Sequence, residues 1–138
     1  MELIILRGLP GSGKTTHALS LGGIVFSTDR LFMVGDRYVF DRTKLAEFHL
    51  QTFQDVTLAM ARRNPLVILD NTNIQVKHFL PYIVTAGAMG YKVRVQRIGA
   101  LPGDQNFRDR VRMYAERNTH GVSLEKILEM ASRWEAYV

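Results

Sequence analysis

The stretch Gly8-Leu9-Pro10-Gly11-Ser12-Gly13-Lys14-Thr15 fits the pattern G-x-x-x-x-G-K-[ST], and its residue types answer to phosphate chemistry. Glycines at 8, 11 and 13 let the backbone turn tightly and bring its N–H groups close to phosphate oxygens, with Pro10 and Ser12 completing the loop. Lys14 supplies a mobile cation for the β and γ phosphates, and the Thr15 hydroxyl can sit on Mg²⁺. Thr16 is open to two readings, a further phosphate contact or a first-turn helix residue. The pattern alone occurs by chance in unrelated chains. Here an apolar strand precedes it and a helix follows, and a helix opening at the loop points its positive end at the same oxygens.

Two carboxylates sit where a partner for such a loop is needed. Asp70 ends the apolar run Val67-Ile68-Leu69, as expected of a metal-holding aspartate, although it could also cap the next helix. Asp29 follows Phe26-Ser27-Thr28. A hydrolase needs a positioned water, whereas a kinase needs a base for the hydroxyl of its acceptor, and Asp29 is placed for that second task. Its plainer reading is a turn or cap opening Arg30-Leu31-Phe32. Farther on, Arg110 and Arg117 are seven apart and share a helix face. An arginine carried over the γ-phosphate by a helical lid would neutralise transition-state charge, with Arg117 the first choice and Arg110 the second. Arg108 and Arg112 read instead as surface residues, Arg112 pairing with Glu116, and His120 is given no chemistry.

The elements that must position these side chains follow from the hydrophobic pattern. Residues 2–7 form a short buried strand. A helix runs from Thr15 to about Leu21 and stops at Gly22-Gly23, and Ile24-Val25-Phe26 is a second strand. Leu45, Phe48, Phe53, Val56 and Met60 recur at helical spacing and predict a long helix over 43–63, broken by Asn64-Pro65. Leu66 to Leu69 is a third strand. Thr72-x-x-Gln75 is a capping box and predicts a helix from there to about Ala88; residues 91–98 alternate as a fourth strand. Two helices close the chain, over 105–118 and 123–136, with Ser123 as N-cap of the second. Strands alternating with helices imply an α/β fold, with a parallel sheet covered on both faces.

Composition sets the bounds. The chain has 138 residues, 46% hydrophobic and 22% charged, with no repeat or linker, which suits one P-loop domain over 1–138 with a lid at about 100–121. No apolar run approaches the ~20 residues of a membrane span, and nothing before residue 2 reads as an export leader, so a cytoplasmic location without a membrane partner is expected. The absence of cysteine excludes disulfides, thiolate metal sites and cysteine nucleophiles. The net charge of +5 is concentrated between Lys92 and Arg117, where seven basic residues face three acidic ones, the composition of a polyanion-facing surface or of a solvated basic face.

The glycine-rich loop, Phe26-Ser27-Thr28-Asp29, Ile68-Leu69-Asp70-Asn71-Thr72-Asn73 and Arg117-Asn118-x-His120-Gly121-Val122 together resemble the polynucleotide-kinase-like P-loop family. That family includes the bacteriophage 5′-hydroxyl polynucleotide kinases and a related domain in a ubiquitin-ligase-binding animal protein. The resemblance spans nearly the whole chain. It implies a P-loop kinase-like three-layer sandwich whose four parallel strands run in the order 2-3-1-4. It implies ATP and Mg²⁺ as cosubstrates, Asp29 as general base, Arg117 as lid arginine, and a DNA or RNA 5′ end as acceptor, hence a part in nucleic-acid end repair limited to phosphorylation. The phage enzymes carry an arginine three residues after the base; this chain has Phe32, as the animal branch does, so that Arg30 or Arg37 would have to substitute. Tyr38 and Phe40 suit stacking on a single strand or, equally, packing. Two other functions fit the same residues: a kinase for a nucleoside or other small alcohol, and a non-catalytic ATP-bound nucleic-acid-binding or adaptor module. Asp70-Asn71-Thr72-Asn73 is not Asp-x-x-Gly, which argues against a GTPase.

Overall fold

The first strand, β1 (Glu2–Arg7), is apolar on both sides because both of its faces are covered, as parallel strands require. In the computed structural model, which describes residues 1–137, alternate residues of β1 enter different cores. Leu3 and Ile5 pack with Val56, Met60, Phe79 and Tyr82, whereas Ile4 and Leu6 pack with Ala18 and Ile68. The period of two along a strand produces this division.

The remaining elements follow in chain order: α1 (Lys14–Ser20), β2 (Ile24–Phe26), a two-residue antiparallel hairpin of β3 (Met33–Val34) and β4 (Arg37–Tyr38), α2 (Leu45–Ala61), β5 (Leu66–Asp70), α3 (Leu80–Ala88), β6 (Lys92–Arg97), α4 (Phe107–Arg117) and α5 (Leu124–Ser132). β1 pairs in parallel with β5 on one side and β6 on the other, and β2 pairs with β5. The sheet order β2-β5-β1-β6 is the expected 2-3-1-4 order once the hairpin is set aside. α1 lies against one face of the sheet, α2 and α3 against the other, giving the expected three layers.

Local differences from the sequence reading have identifiable causes. The hairpin went unread because its strands are two residues long, with Gly35 (φ 62) at the turn. Asp41 accepts from the Thr43 N–H, so a 3₁₀ turn over Arg42–Lys44 precedes α2. At the far end, the Asn64 amide caps α2 by donating to the Ala59 carbonyl at 2.9 Å. The predicted capping box at Thr72 is not the one used. Asn73 takes a left-handed φ of 49° and spends its side-chain amide on the Leu6 carbonyl at 2.8 Å, which holds the segment extended. Gln75 and His78 form the box instead, and α3 begins only at Leu80. Ser123 does cap α5, accepting from the Lys126 N–H.

A third core lies beyond the strand ends, where Val111 and Tyr114 of α4 meet Ile127 and Ala131 of α5 over Leu9 and Ile74. Arg7, 3% exposed at the end of β1, donates to the carbonyls of Asn73, Ile74 and Glu135 and lies 4.1 Å under the Trp134 ring. It ties Trp134 and Glu135 to the edge of the loop region. No described helix is long and apolar enough to cross a membrane.

Candidate active site

The loop between β1 and α1 is built by close approach. Gly8 donates its N–H to the Thr72 carbonyl at 3.1 Å, and a Cβ on Gly8 would meet the Ile98 carbonyl oxygen at 2.5 Å. Gly11 (φ 81) and Gly13 (φ 99) hold left-handed conformations that favour glycine. A Cβ on Gly11 would reach the Tyr114 backbone at 2.5 Å, so the loop and α4 touch main chain to main chain. The Tyr114 hydroxyl accepts the Ala100 N–H at 3.0 Å and fixes that contact from the other side.

Inside the loop two polar groups lack strong partners. Ser12 Oγ is buried and unbonded among the described residues. Lys14 is 9% exposed, and among the described residues its ammonium has only the Leu9 carbonyl, at 3.4 Å. Burial pushes the Lys14 pKa down, opposed by the attraction of Asp70 and Asp29. A buried cation and a buried hydroxyl left unused are costly in a finished fold and are what an anion would satisfy. The residues therefore fit a phosphate group.

Asp70, 5% exposed at the end of β5, accepts from the Thr15 hydroxyl at 2.8 Å, a charge-assisted bond of about 1.5–3 kcal/mol. Its carboxylate is thus turned toward α1 and does not cap α3. Thr16 is exposed on the first turn of α1, and Pro10 is half-buried. Among the described residues no group of three or more His, Asp or Glu side chains could hold a metal. A divalent ion at Thr15 and Asp70 would complete its shell with phosphate and water oxygens, the manner of Mg²⁺.

Asp29 occupies a 3₁₀ turn (Thr28–Phe32) just after β2, with a half-exposed side chain. Its position is set by the preceding residue. Buried Thr28 takes the Asn71 Oδ1 on its N–H at 2.9 Å and the Asn71 amide on its hydroxyl at 3.1 Å, and shares a 2.9 Å bond with Thr52. Asn71 therefore staples the end of β2 to the end of β5, and Asn73 staples β5 to β1 through Leu6. His49, 3.4 Å from the Thr28 hydroxyl, has its pKa lowered by burial despite the opposing pull of Asp29.

The arginines divide. Arg117, the last residue of α4, donates Nε to the Gly11 carbonyl at 2.7 Å and lies 5.2 Å from the Tyr114 ring. Arg110 is exposed and its side chain makes no hydrogen bond or ion pair among the described residues; seven residues up the helix put it about 10 Å farther along the axis. The structure brings Arg117 to the loop and does not bring Arg110 there. Arg112 is not paired with Glu116 among the described residues; with Arg108 it rims an apolar cleft lined by Phe107, Leu124 and Leu128. Phe32 is 2% exposed inside an aromatic cluster with Phe40 and Phe48, and Arg30 turns back to the Val25 carbonyl at 3.0 Å. Neither reaches outward beside Asp29.

His120, given no role above, is in this site. Its Nδ1 lies 3.3 Å from Asp29 Oδ2, and its ring stacks on Tyr38 with centroids 4.0 Å apart. The Tyr38 hydroxyl donates to Asp29 Oδ1 at 3.3 Å. The available signal was its place three residues after Arg117 and before Gly121 (φ 68), where a turn returns the chain.

A family model described as an AAA domain matches residues 3–137. NEDD4-binding protein 2 of Homo sapiens is 34% identical over 143 residues, a match covering 100% of this chain and 8% of that protein. YLP motif-containing protein 1 of Rattus norvegicus is 25% identical over 166 residues, covering 97% of this chain and 11% of that protein. The chain thus spans a small fraction of the curated relatives it matches. Kti12 of Chaetomium thermophilum, solved in complex with ADP-AlF3, superposes with a TM-score of 0.60 at 20% identity, over 97% of this chain and 80% of that one. The APS kinase CysC of Mycobacterium tuberculosis, solved with AMPPNP and APS, gives 0.54 at 22% identity, over 83% and 72%. At these identities the two structures establish a shared P-loop kinase-like fold.

Proposed function

Because the chain belongs to the AAA domain family, in the P-loop kinase-like branch that its motifs resemble, we propose that it is an ATP-dependent phosphotransferase acting on the 5′-hydroxyl of DNA or RNA. The observation that carries the reading is the contrast between two carboxylates drawn to one lysine. Asp70 is buried on the Thr15 hydroxyl, and Asp29 is half-exposed in the turn after the neighbouring strand β2, open to an incoming alcohol. A hydrolase has use for the first alone; a kinase needs both.

In this reading the N–H groups of residues 8–15 and the Lys14 ammonium grip the β and γ phosphates. Thr15 and Asp70 would hold Mg²⁺, which would supply positive charge against that of the phosphates. Asp29 accepts the proton of the acceptor hydroxyl as its oxygen bonds the γ-phosphorus and the bond to the ADP oxygen breaks. Arg117, from the end of α4, neutralises charge gathering on the transferred group, and residues 100–121 serve as the lid. The basic segment before and through α4 offers a track for a polyanion.

A small-alcohol acceptor is the second reading. It is favoured by the burial of Phe32 and the turned-back Arg30, which leave no guanidinium bonded to Asp29 among the described residues. The deciding experiment is transfer of labelled γ-phosphate from ATP, with magnesium, to 5′-hydroxyl DNA, 5′-hydroxyl RNA and a panel of nucleosides. Asp29→Asn is expected to abolish transfer while leaving ATP affinity within about threefold, as loss of a base without loss of binding requires. Equal loss of both would make Asp29 structural, and no transfer to any acceptor by the wild type would leave a nucleotide-binding adaptor.

A further inference from the structure

The lid arginine and the base are joined by a four-residue path. Arg117 holds the Gly11 carbonyl, and His120 reaches Asp29. Between them Asn118 is bonded through both polar atoms of its side chain. Its amide donates to the carbonyls of Tyr114, Ala115 and Val122, and its Oδ1 accepts the Val122 N–H at 2.8 Å. These four bonds close the turn from 118 to 122, which lies between the two contacts. On the base side the Tyr38 hydroxyl donates to one oxygen of the carboxylate, and His120 Nδ1 lies 3.3 Å from the other, with the Tyr38 and His120 rings stacked on each other.

From this geometry we infer that His120 is a positioning residue, which orients the Asp29 carboxylate through Nδ1 and couples that orientation to the seating of Arg117 on the glycine-rich loop. The inference rests on the phosphotransferase reading above and adds a residue and a linkage to it. Each carboxylate oxygen has two lone-pair sites, so Asp29 can hold Tyr38 and His120 and still accept the proton of an alcohol. Burial and the Asp29 charge push the Tyr38 phenol pKa above its ordinary value, keeping it a donor to the carboxylate.

Three substitutions separate the two contacts of His120. His120→Asn places an amide N–H near the Nδ1 position and drops the stack; His120→Phe keeps the stack and drops the bond; His120→Ala removes both. For ATP-dependent transfer to the best acceptor of the panel, the Ala and Phe variants are expected to lose about 10- to 100-fold in kcat, the scale of a misplaced reacting group. The KM for ATP is expected to stay within about threefold, because that contact is made by the loop. The Asn variant is expected to recover at least half of the lost kcat on a logarithmic scale. Recovery by Phe but not Asn, or a raised KM for ATP with kcat intact, overturns the inference. If the wild type transfers phosphate to no acceptor, the phosphotransferase reading fails, and the contact is judged by ¹⁵N NMR of the His120 ring. Its Nδ1 resonance should move on Asp29→Asn and again on Arg117→Ala, and an unmoved resonance in both refutes the linkage.

Discussion

Replacing Gly11 by alanine tests whether α4 rests on the phosphate-binding loop in solution, because two separable costs fall on one methyl group. The first is conformational: φ is +81°, and an L-residue with a Cβ in that region loses roughly 1–2 kcal/mol. The second is steric: the new Cβ would lie 2.5 Å from the Tyr114 carbonyl oxygen and 2.8 Å from its Cα, both main-chain atoms that cannot swing aside. Forcing a methyl into such a contact costs about 1–3 kcal/mol more. Gly13 is the internal control. Its φ is +99°, yet nothing lies within 4 Å of its virtual Cβ, so Gly13→Ala pays the first cost alone. The difference between the two variants, about 1–3 kcal/mol, reports the contact with α4. At roughly 3–5 °C per kcal/mol for a domain of this size, Gly11→Ala should melt about 3–15 °C below Gly13→Ala in a nucleotide-free thermal scan. Chemical denaturation with equal slopes for the two variants would secure the conversion to free energy. Equal melting temperatures would refute the reasoning, because they would mean that Tyr114 does not press on the loop when nucleotide is absent.

Two further outcomes are expected. Asp70→Asn keeps an acceptor for the Thr15 hydroxyl but removes the charge beside it, so calorimetry should show ATP affinity little changed without magnesium and lowered about tenfold or more with it; equal loss in both conditions would make Asp70 purely structural. Lys14→Met removes a buried cation whose pKa is lowered chiefly by burial. Between that lowered value and the ordinary value of about 10.4 the unfolded chain holds more protons than the folded one, so wild-type stability gains from this group as pH rises through that window. The Met variant should lack the gain, and denaturant titrations at neutral and alkaline pH that run parallel for both proteins would contradict it.

The parts of the site legible in the sequence are those carried by unbroken local patterns. Gly8 through Thr15 is a contiguous loop whose geometry glycine dictates, and Asp70 follows a strand that announces itself by four apolar residues. The parallel sheet and its order followed from alternation and resemblance. The helix start at Thr72 was misplaced because two competing uses, of the Asn73 side chain on the Leu6 carbonyl and of the Arg7 guanidinium on the carbonyls of Asn73 and Ile74, hold that segment extended. Neither partner is near it in sequence. Arg110 and Arg117 share a face on a helical wheel; the sequence ranked Arg117 first, and the place where α4 crosses Gly11 puts Arg117 alone of the two on the loop.

By itself, then, the sequence determined the local chemistry: a loop for phosphate, a carboxylate at each of two strand ends, and strands and helices in an order that admits few topologies. Tertiary structure alone decided which distant groups share that space, including His120 and Tyr38 on Asp29, Asn71 on Thr28, and Tyr114 against Gly11. The physical reason is range. Turn and periodicity preferences act over a few residues, whereas the approach of His120 to Asp29 exists only after the sheet and the third core have set where each chain segment emerges.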